Sequence, residues 1–499
     1  MLFNSYEFIF FFLPVTLLVF YTLGSMGMAR SAIGWLFFAS IFFYGWWNPV
    51  YVGLILFSIC INYTIGYWLG KFFDQKRKRK KFLLVAGLGF NLGLLAYFKY
   101  TNFFLSNING VFHSHFPNEH IILPLGISFF TFQKVAYLVD AYEGKAREYD
   151  FLNFCLFVTF FPQLIAGPIV HHKEMMPQFK KDHYCFSHSE LALGLTMFSI
   201  GLFKKVMLAD NLAIYASPVF DAARAGTPVG SAAAWVGVLC YTFQIYFDFS
   251  GYSDMAIGLG RMFGIKLPLN FNSPYKAIGI VDFWRRWHMT LSRLLRDYLY
   301  FPLGGNRCGK VKRYANLMTV MIIGGLWHGA NWTFVLWGTC HGLYLIINHA
   351  WNKAIEIFKW KWAEEFIFQY MAGLVTFFAV VLAWVLFRSD NITTAGRLYH
   401  AMLVKWTPGT TNHLALNTSH ILNIAGSFLF VWFLPNTQEL LRKYEPAIDF
   451  KEQDVKPLVR GLRWLEWRPT AGWGIVFSII FVISIFNMVK ISEFLYFQF

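Results

Sequence analysis

The residue best suited to chemistry in this chain is His328, which lies in a long stretch without charge. No Asp, Glu, Lys or Arg occurs from Tyr314 to Asn352, a run of 39 residues. The 15 residues from Arg313 to His328 correspond to roughly 22 Å of helical rise, enough to carry the imidazole deep into a bilayer. Placing an ionisable group at that depth costs free energy, which points to a function for His328. A neutral histidine with a structural role is an equally good interpretation of the uncharged run alone. The flanking glycines, including Gly329, favour function because they let a substrate approach the ring.

A second candidate is a cluster of arginines upstream of this run. Arg285, Arg286, Arg293 and Arg296 alternate with Trp and Leu at helical spacing. They could extend toward lipid phosphates from an interfacial helix. They could also clamp a phosphorylated ligand, since the guanidinium fork matches phosphate geometry. The segment taken alone favours the lipid interpretation.

The histidines and cysteines do not have metal-ligand spacing. His341 follows His328 by 13 positions, about 220° around a continuous helix, so the two would not share a face. The adjacent pair His171 and His172 has no third ligand in register, and the six cysteines form no CxxC motif. We therefore predict no metal site, no disulfide framework and no bound cofactor.

The elements that must hold these residues are membrane-spanning helices. Hydrophobic residues make up 57% of the 499 positions and charged residues 14%, whereas a soluble domain carries about 25% charged residues. We predict an all-α polytopic membrane protein that forms a single domain over residues 1–499, with about 11 transmembrane helices plus re-entrant or interfacial helices. The clear apolar segments are 7–24, 31–48, 51–70, 82–98, 121–142, 189–209, 232–249, 367–387, 419–434 and 471–489.

The net charge of +16 is clustered. A block of Lys and Arg at 76–81 separates two apolar segments, which is typical of a cytoplasmic loop and not of nucleic-acid binding. A cytoplasmic loop there would put the N-terminus outside, and would bring residues 494–499 to the outer face after a last outward helix. The first apolar segment is interpreted as a transmembrane helix because it lacks the features of a signal peptide.

A polar island lies at 247–256 near the end of an apolar helix. It holds Asp248 and Asp254, with Asn270 and Asn272 downstream. We expect the two carboxylates to neutralise the arginine cluster. No DxD motif occurs in the chain, which argues against a metal-dependent glycosyltransferase that uses nucleotide sugars.

Several long motifs together resemble the membrane-bound O-acyltransferases, in particular the bacterial branch with the alginate and peptidoglycan O-acetyltransferases. The resemblance covers residues 5 to 350 well and the rest more thinly. The motifs are PLGISFFTFQKVAYLVDAY (124–142), FFPQLIAGPIV (160–170), YFDFSGYSDMAIGLG (246–260), NFNSPY (270–275), DFWRRWHMTLSRLLRDYLY (282–300), PLGGNR (302–307) and GGLWHGANWTFVLWG (324–338).

The resemblance implies a central tunnel through the membrane, with His328 as the catalytic residue and His288 as a second family histidine. It also implies acetyl-CoA as cytosolic co-substrate, an extracytoplasmic SGNH-type acetyltransferase as partner, and a place in the bacterial cytoplasmic membrane. It strengthens the phosphate-clamp interpretation of the arginines. Trp327, Asn331 and His341 are candidate substrate contacts.

The segment 494–499, FLYFQF, fits the pattern FxYxxF. It is similar to the motif of a small partner protein of teichoic acid D-alanylation, whose tyrosine carries the acyl group. Composition alone favours an aromatic interfacial anchor, whereas the exact pattern favours a covalent role for Tyr496. Two alternatives stay open, namely D-alanyl transfer from a carrier protein to teichoic acid and, more distantly, a membrane transporter.

Overall fold

The computed structural model describes residues 1–71, 77–147, 150–404, 418–448, 450–452, 460–488 and 495, and within these ranges the regular structure is helical, without strands. The first helices are α1 (Leu13–Ser25), α2 (Ala29–Gly45), α3 (Val50–Lys71), α4 (Arg77–Leu95), α5 (Thr101–Phe112), α6 (Ile127–Glu143), α7 (Phe151–Thr159), α8 (Phe161–Leu164), α9 (His172–Phe179), α10 (His188–Phe203), α11 (Asp210–Ala225) and α12 (Ser231–Met262). The others are α13 (Ile280–Arg286), α14 (Met289–Leu295), α15 (Lys310–His328), α16 (Trp332–Phe358), α17 (Phe366–Arg388), α18 (Ile392–Leu403), α19 (Thr418–Phe433), α20 (Thr437–Leu440) and α21 (Ala471–Phe486). Wide, π-helical turns occur at Phe8–Phe12, Ala96–Tyr100, Lys204–Ala209 and Arg296–Tyr300.

Several of these helices are long and apolar enough to cross a membrane, which confirms the all-α membrane fold class. The number of about 11 is not confirmed, because a π-helical turn joins some apolar segments into one longer helix, while other segments break into short helices. The basic block is partly helical, since α4 begins at Arg77. Within the described ranges five helices qualify as spans, namely Phe8–Ser25, Val50–Lys71, Lys78–Phe112, His188–Ala225 and Phe366–Arg388, and two shorter apolar helices are Thr418–Phe433 and Ala471–Phe486.

The chain divides into two compact units, so the single domain over 1–499 stays a prediction. The first unit comprises Met1–Leu202, Tyr252–Leu269 and Leu441–Glu493. The second comprises Phe203–Gly251, Asn270–Leu440 and Phe494–Phe499.

In the first unit, polar side chains between apolar helices pair with each other. Asn62 on α3 and Asn91 on α4 exchange two amide hydrogen bonds of 2.6 and 3.2 Å. Lys134 on α6 donates to the Ser58 hydroxyl and lies 4.3 Å from the centroid of the Phe130 ring. Such pairing is what a buried polar group requires in a helix that faces lipid or other apolar helices.

In the second unit, glycines bring α15 and α16 close together as an antiparallel pair. A Cβ atom added at Gly325 would strike the carbonyl oxygen of Phe334, and one added at Gly338 would strike that of Met321. Glycine at these positions therefore sets the distance between the two helices that flank His328.

We expect Gly338→Ala to lower the free energy of unfolding by about 1–3 kcal/mol, because its methyl group would meet main-chain atoms that cannot move aside. Gly396→Ala is the matched control, since a Cβ atom there has no neighbour within 4 Å. Thermal unfolding of the detergent-purified proteins measures both changes. Equal melting temperatures for the two variants would contradict the close approach of α15 and α16.

Candidate active site

His328 is the last residue of α15, and the helix ends directly after it. Gly329 is extended, and α16 begins at Trp332 after Asn331, whose side-chain oxygen accepts from the main-chain N–H of Thr333 at 3.1 Å. The long uncharged run therefore forms two helices joined by a short break. The imidazole lies at that break and is buried, with 5% of the residue exposed.

Aromatic rings from four parts of the second unit surround His328. The ring centroids of Trp327, Phe387 and Trp337 lie 4.9, 5.1 and 5.3 Å from its own. The ring of His288 is 6.4 Å away. We call these four rings the aromatic enclosure. It surrounds one imidazole with apolar surface, a setting in which electrostatic interactions are stronger than in water.

His288, the second family histidine, is held in a specific orientation. It precedes α14 with φ 43° and ψ 54°, a left-handed conformation that side-chain-bearing residues rarely adopt. Its Nδ1 lies 3.0 Å from Oδ1 of Asn270, which also accepts from the Thr290 hydroxyl at 3.0 Å. Because that amide oxygen can only accept, Nδ1 carries the proton, and a neutral ring leaves Nε2 as an acceptor.

His341 lies on α16 and packs on the same tryptophan as His328, namely Trp337. The spacing in the sequence predicted that the two histidines do not share a helix face, on the assumption of one continuous helix. That assumption is wrong, because α15 ends at His328. Both rings pack on Trp337, and the His341 ring is 4.7 Å from it. The Trp284 indole N–H donates to His341 Nδ1 at 3.3 Å, so Nε2 carries the proton. His341 and Trp337 thus present two buried N–H groups, His341 Nε2 and Trp337 Nε1, that have no hydrogen-bond partner among the described residues.

The arginine cluster is only partly available to a ligand. Arg286 pairs with Asp282 at 2.8 Å, and Arg296 pairs with Asp297 at 2.8 Å. Arg293 is half-buried on α14, whereas the Arg285 side chain is exposed. Arg285 and Arg296 are both exposed, and of these two Arg296 is paired with a carboxylate.

The two candidate substrate contacts next to His328 differ in role. The Asn331 side chain caps α16 and donates to the Asp390 carbonyl at 2.5 Å, so its polar atoms hold the helix break. Trp327 is buried, and its ring contacts both His328 and His288.

The expected role of Asp248 as a counter-ion of the arginine cluster is wrong. Asp248 is buried on α12 and pairs with Lys205 at 2.7 Å, and Lys205 also binds Asp210 at 2.9 Å. Sequence reasoning missed Lys205 because its partner lies on another helix far along the chain. A buried lysine in an apolar segment was the available signal. Tyr496 lies outside the described residues.

Comparison with known proteins gives one family. The family model of the membrane-bound O-acyltransferases matches residues 93–387. A peptidoglycan O-acetyltransferase of Helicobacter pylori is 46% identical over 452 residues, which are 85% of this chain and 83% of that protein. A "Probable alginate O-acetylase" of Pseudomonas putida is 38% identical over 512 residues and the full length of both proteins. A teichoic acid D-alanyltransferase of Streptococcus thermophilus is 29% identical over 246 residues, 46% of this chain and 57% of that protein. The matched region contains His328, His288 and His341, and the chain is an acyltransferase that belongs to the membrane-bound O-acyltransferase family.

Proposed function

We propose that the chain is an O-acetyltransferase of the bacterial cytoplasmic membrane that takes an acetyl group from cytosolic acetyl-CoA. It passes the group across the membrane for O-acetylation of a cell-surface polysaccharide, peptidoglycan or an exopolysaccharide such as alginate. The observation that carries the proposal is the position of His328 at a helix break, inside the aromatic enclosure and beside His288. Such a site suits acyl transfer because it offers a base in a confined apolar setting.

The relatives favour acetyl over D-alanyl as the transferred group. Similarity to the peptidoglycan acetyltransferase extends over 85% of the chain, against 46% for the D-alanyltransferase. Release of free CoA after the addition of acetyl-CoA supports acetyl transfer. Reaction with a charged D-alanyl carrier protein, without reaction with acetyl-CoA, would support the alternative.

In the proposed chemistry His328 acts as the general base for the Tyr496 hydroxyl. The phenol has a reference pKa near 10, so it needs a base at neutral pH. As His328 takes the proton, the phenolic oxygen forms a bond with the acetyl carbon and the carbon–sulfur bond breaks. The proton then passes to the sulfur, which leaves as the CoA thiol. The product is an acetyl-tyrosyl ester, and a phenol is a better leaving group for the next transfer than an alkyl alcohol.

A second route starts with the imidazole as the nucleophile. His328 would form an acetyl-imidazole with loss of CoA thiol, and the Tyr496 oxygen would then take the acetyl group and return the imidazole. A burst of one CoA per enzyme in Tyr496→Phe would identify this route, because the first step needs no phenol. Absence of the burst supports general-base catalysis.

The donor is proposed to bind through its carbonyl and its phosphates. The unpartnered N–H groups of Trp337 and His341 can donate to the thioester oxygen as it gains negative charge. The exposed Arg285 is the best placed of the four arginines for the CoA phosphates, because Arg286 and Arg296 are held by carboxylates. His288 would then accept a hydrogen bond through Nε2 or help to orient His328.

We expect Trp337→Phe to lower kcat by about 10²-fold and to change KM less, because the variant keeps an aromatic ring but loses the N–H donor. The measurement is steady-state CoA release by the purified protein. Trp351→Phe is the control, since Trp351 also lies on α16 but packs against Trp360 and Phe368 instead. Wild-type kcat in Trp337→Phe would contradict the proposed donor role.

The final acceptor requires a second protein in this proposal. An extracytoplasmic SGNH-type acetyltransferase would take the acetyl group from Tyr496 on a serine oxygen and pass it to a sugar hydroxyl. Co-purification from the membrane with such a protein supports the proposal. Direct acetylation of polysaccharide by the chain alone would contradict it.

A further inference from the structure

A buried ion pair in the second unit has no part in the chemistry proposed above. Lys205 Nζ lies 2.7 Å from Asp248 Oδ1 and 2.9 Å from Asp210 Oδ1, and the Lys205 and Asp248 side chains are only 4% and 2% exposed. Lys205 belongs to the π-helical turn Lys204–Ala209, a type of turn that often occurs at functional sites. Burying two charges is expensive and stabilises a fold poorly compared with apolar packing. We call Lys205 and Asp248 the docking pair.

The other carboxylate oxygen of Asp248 binds the main chain at Leu495, which belongs to the 494–499 segment. The N–H of Leu495 donates to Asp248 Oδ2 at 3.0 Å, and Leu495 is 6% exposed. Lys205 occupies Oδ1 and leaves the lone pairs of Oδ2 for this donor. Because the acceptor is a carboxylate, the hydrogen bond is charge-assisted and stronger than a neutral one. It holds a main-chain atom of Leu495, so it does not depend on the Leu495 side chain.

The same helix also forms part of the wall around the histidines. Phe249 follows Asp248 on α12, and its ring packs 4.8 Å from that of His288. The His288 ring is 6.4 Å from that of His328. Successive Cα atoms are only about 3.8 Å apart, so a fixed Leu495 restricts where its neighbour Tyr496 can be.

We propose that the docking pair is a binding site for the 494–499 segment of this chain and that Asp248 and Lys205 are positioning residues. Asp248 holds the main chain at Leu495 through one carboxylate oxygen, and Lys205 orients Asp248 through the other. Docking limits the motion of the acetyl acceptor and so lowers the entropic cost of its attack. This role in transfer rests on the proposed acetylation of Tyr496, whereas the docking itself does not.

The test compares two pairs of variants in the full-length purified protein. Leu495→Pro removes the N–H donor, and Leu495→Ala shortens the side chain but keeps that donor. Asp248→Asn removes the carboxylate that binds Leu495, and Asp210→Asn removes the other carboxylate beside Lys205. The leucine pair leaves the ion pair intact, so it decides the question even if Asp248→Asn does not fold.

Two measurements are made on each variant. Limited digestion with chymotrypsin, followed by intact mass, gives the rate of cleavage after Phe497, a residue that all four variants keep. Mass spectrometry of the C-terminal peptide after incubation with labelled acetyl-CoA gives the acetylated fraction of Tyr496. We expect Leu495→Pro and Asp248→Asn to be cleaved after Phe497 about tenfold faster and to carry about tenfold less acetyl than Leu495→Ala and Asp210→Asn.

Equal digestion rates within the leucine pair would overturn the docking site. Faster digestion of Leu495→Pro with unchanged acetylation would confirm docking and overturn its role in positioning. If wild-type Tyr496 is never acetylated but Leu495→Pro is still digested faster, the docking site stands and the proposed relay fails.

Discussion

His328→Ala should lower CoA release from acetyl-CoA by about 10²–10⁴-fold, the range that a general base contributes. The side chain ends α15 inside the aromatic enclosure, and its removal takes away the base that the Tyr496 phenol needs. Because the chain is extended directly after His328, the loss of the imidazole interrupts no helical turn. The measurement is thiol release by the purified protein in lipid nanodiscs, with acetyl-CoA in excess.

Two further variants separate chemistry from folding. His328→Gln keeps a polar side chain of similar size but has no basic nitrogen, so its activity should match that of His328→Ala. His420→Ala removes a histidine whose ring packs on Tyr215, apart from the aromatic enclosure, and should stay within a factor of two of wild type. Turnover at the wild-type rate in His328→Ala would remove this residue from the mechanism.

Residues with local signals could be predicted from the sequence. His328 is marked by the uncharged run around it, and the glycine after it marks the break between α15 and α16. His288 is recognisable from its family motif. Its left-handed backbone and its bond with Asn270 could not be foreseen, because both depend on how two loops meet.

Pairings between distant segments could not be predicted. Nothing in one sequence shows that Asp248 pairs with Lys205, since hydropathy describes each helix separately and many partners were possible. The position of His341 relative to His328 could not be predicted for a related reason. Helical spacing predicts faces only within one helix, and Trp337 links His341 to His328 across a helix break.

The number of helices was also beyond apolar patterning alone. Hydropathy shows how apolar a segment is, but it does not show where the helix ends. The apolar segment 82–98 therefore did not reveal that its helix continues through a π-helical turn to Phe112. The break after Thr159 likewise depends on the backbone of Phe160 rather than on a change in hydropathy.

The second large effect is expected at Tyr496. Tyr496→Phe removes a single oxygen, so it should abolish acetyl labelling of the C-terminal peptide and lower polysaccharide acetylation in cells by at least about 10²-fold, since no acceptor oxygen remains. Acetyl-CoA should still bind, because the proposed donor contacts are elsewhere. Mass spectrometry of the peptide and a quantitative ester assay on the isolated polysaccharide measure the two effects.

Tyr370→Phe is the matched control, because Tyr370 is 54% exposed on α17 and loses the same oxygen without access to the aromatic enclosure. It should label and acetylate like wild type. An interfacial anchor at 494–499 needs an aromatic ring and not a hydroxyl, so full activity in Tyr496→Phe would favour the anchor and contradict the relay. Tyr496→Phe could also lose activity while it keeps its protein level and its protection from chymotrypsin after Phe497. The segment would then still be present and docked, and the missing oxygen would be the cause of the loss.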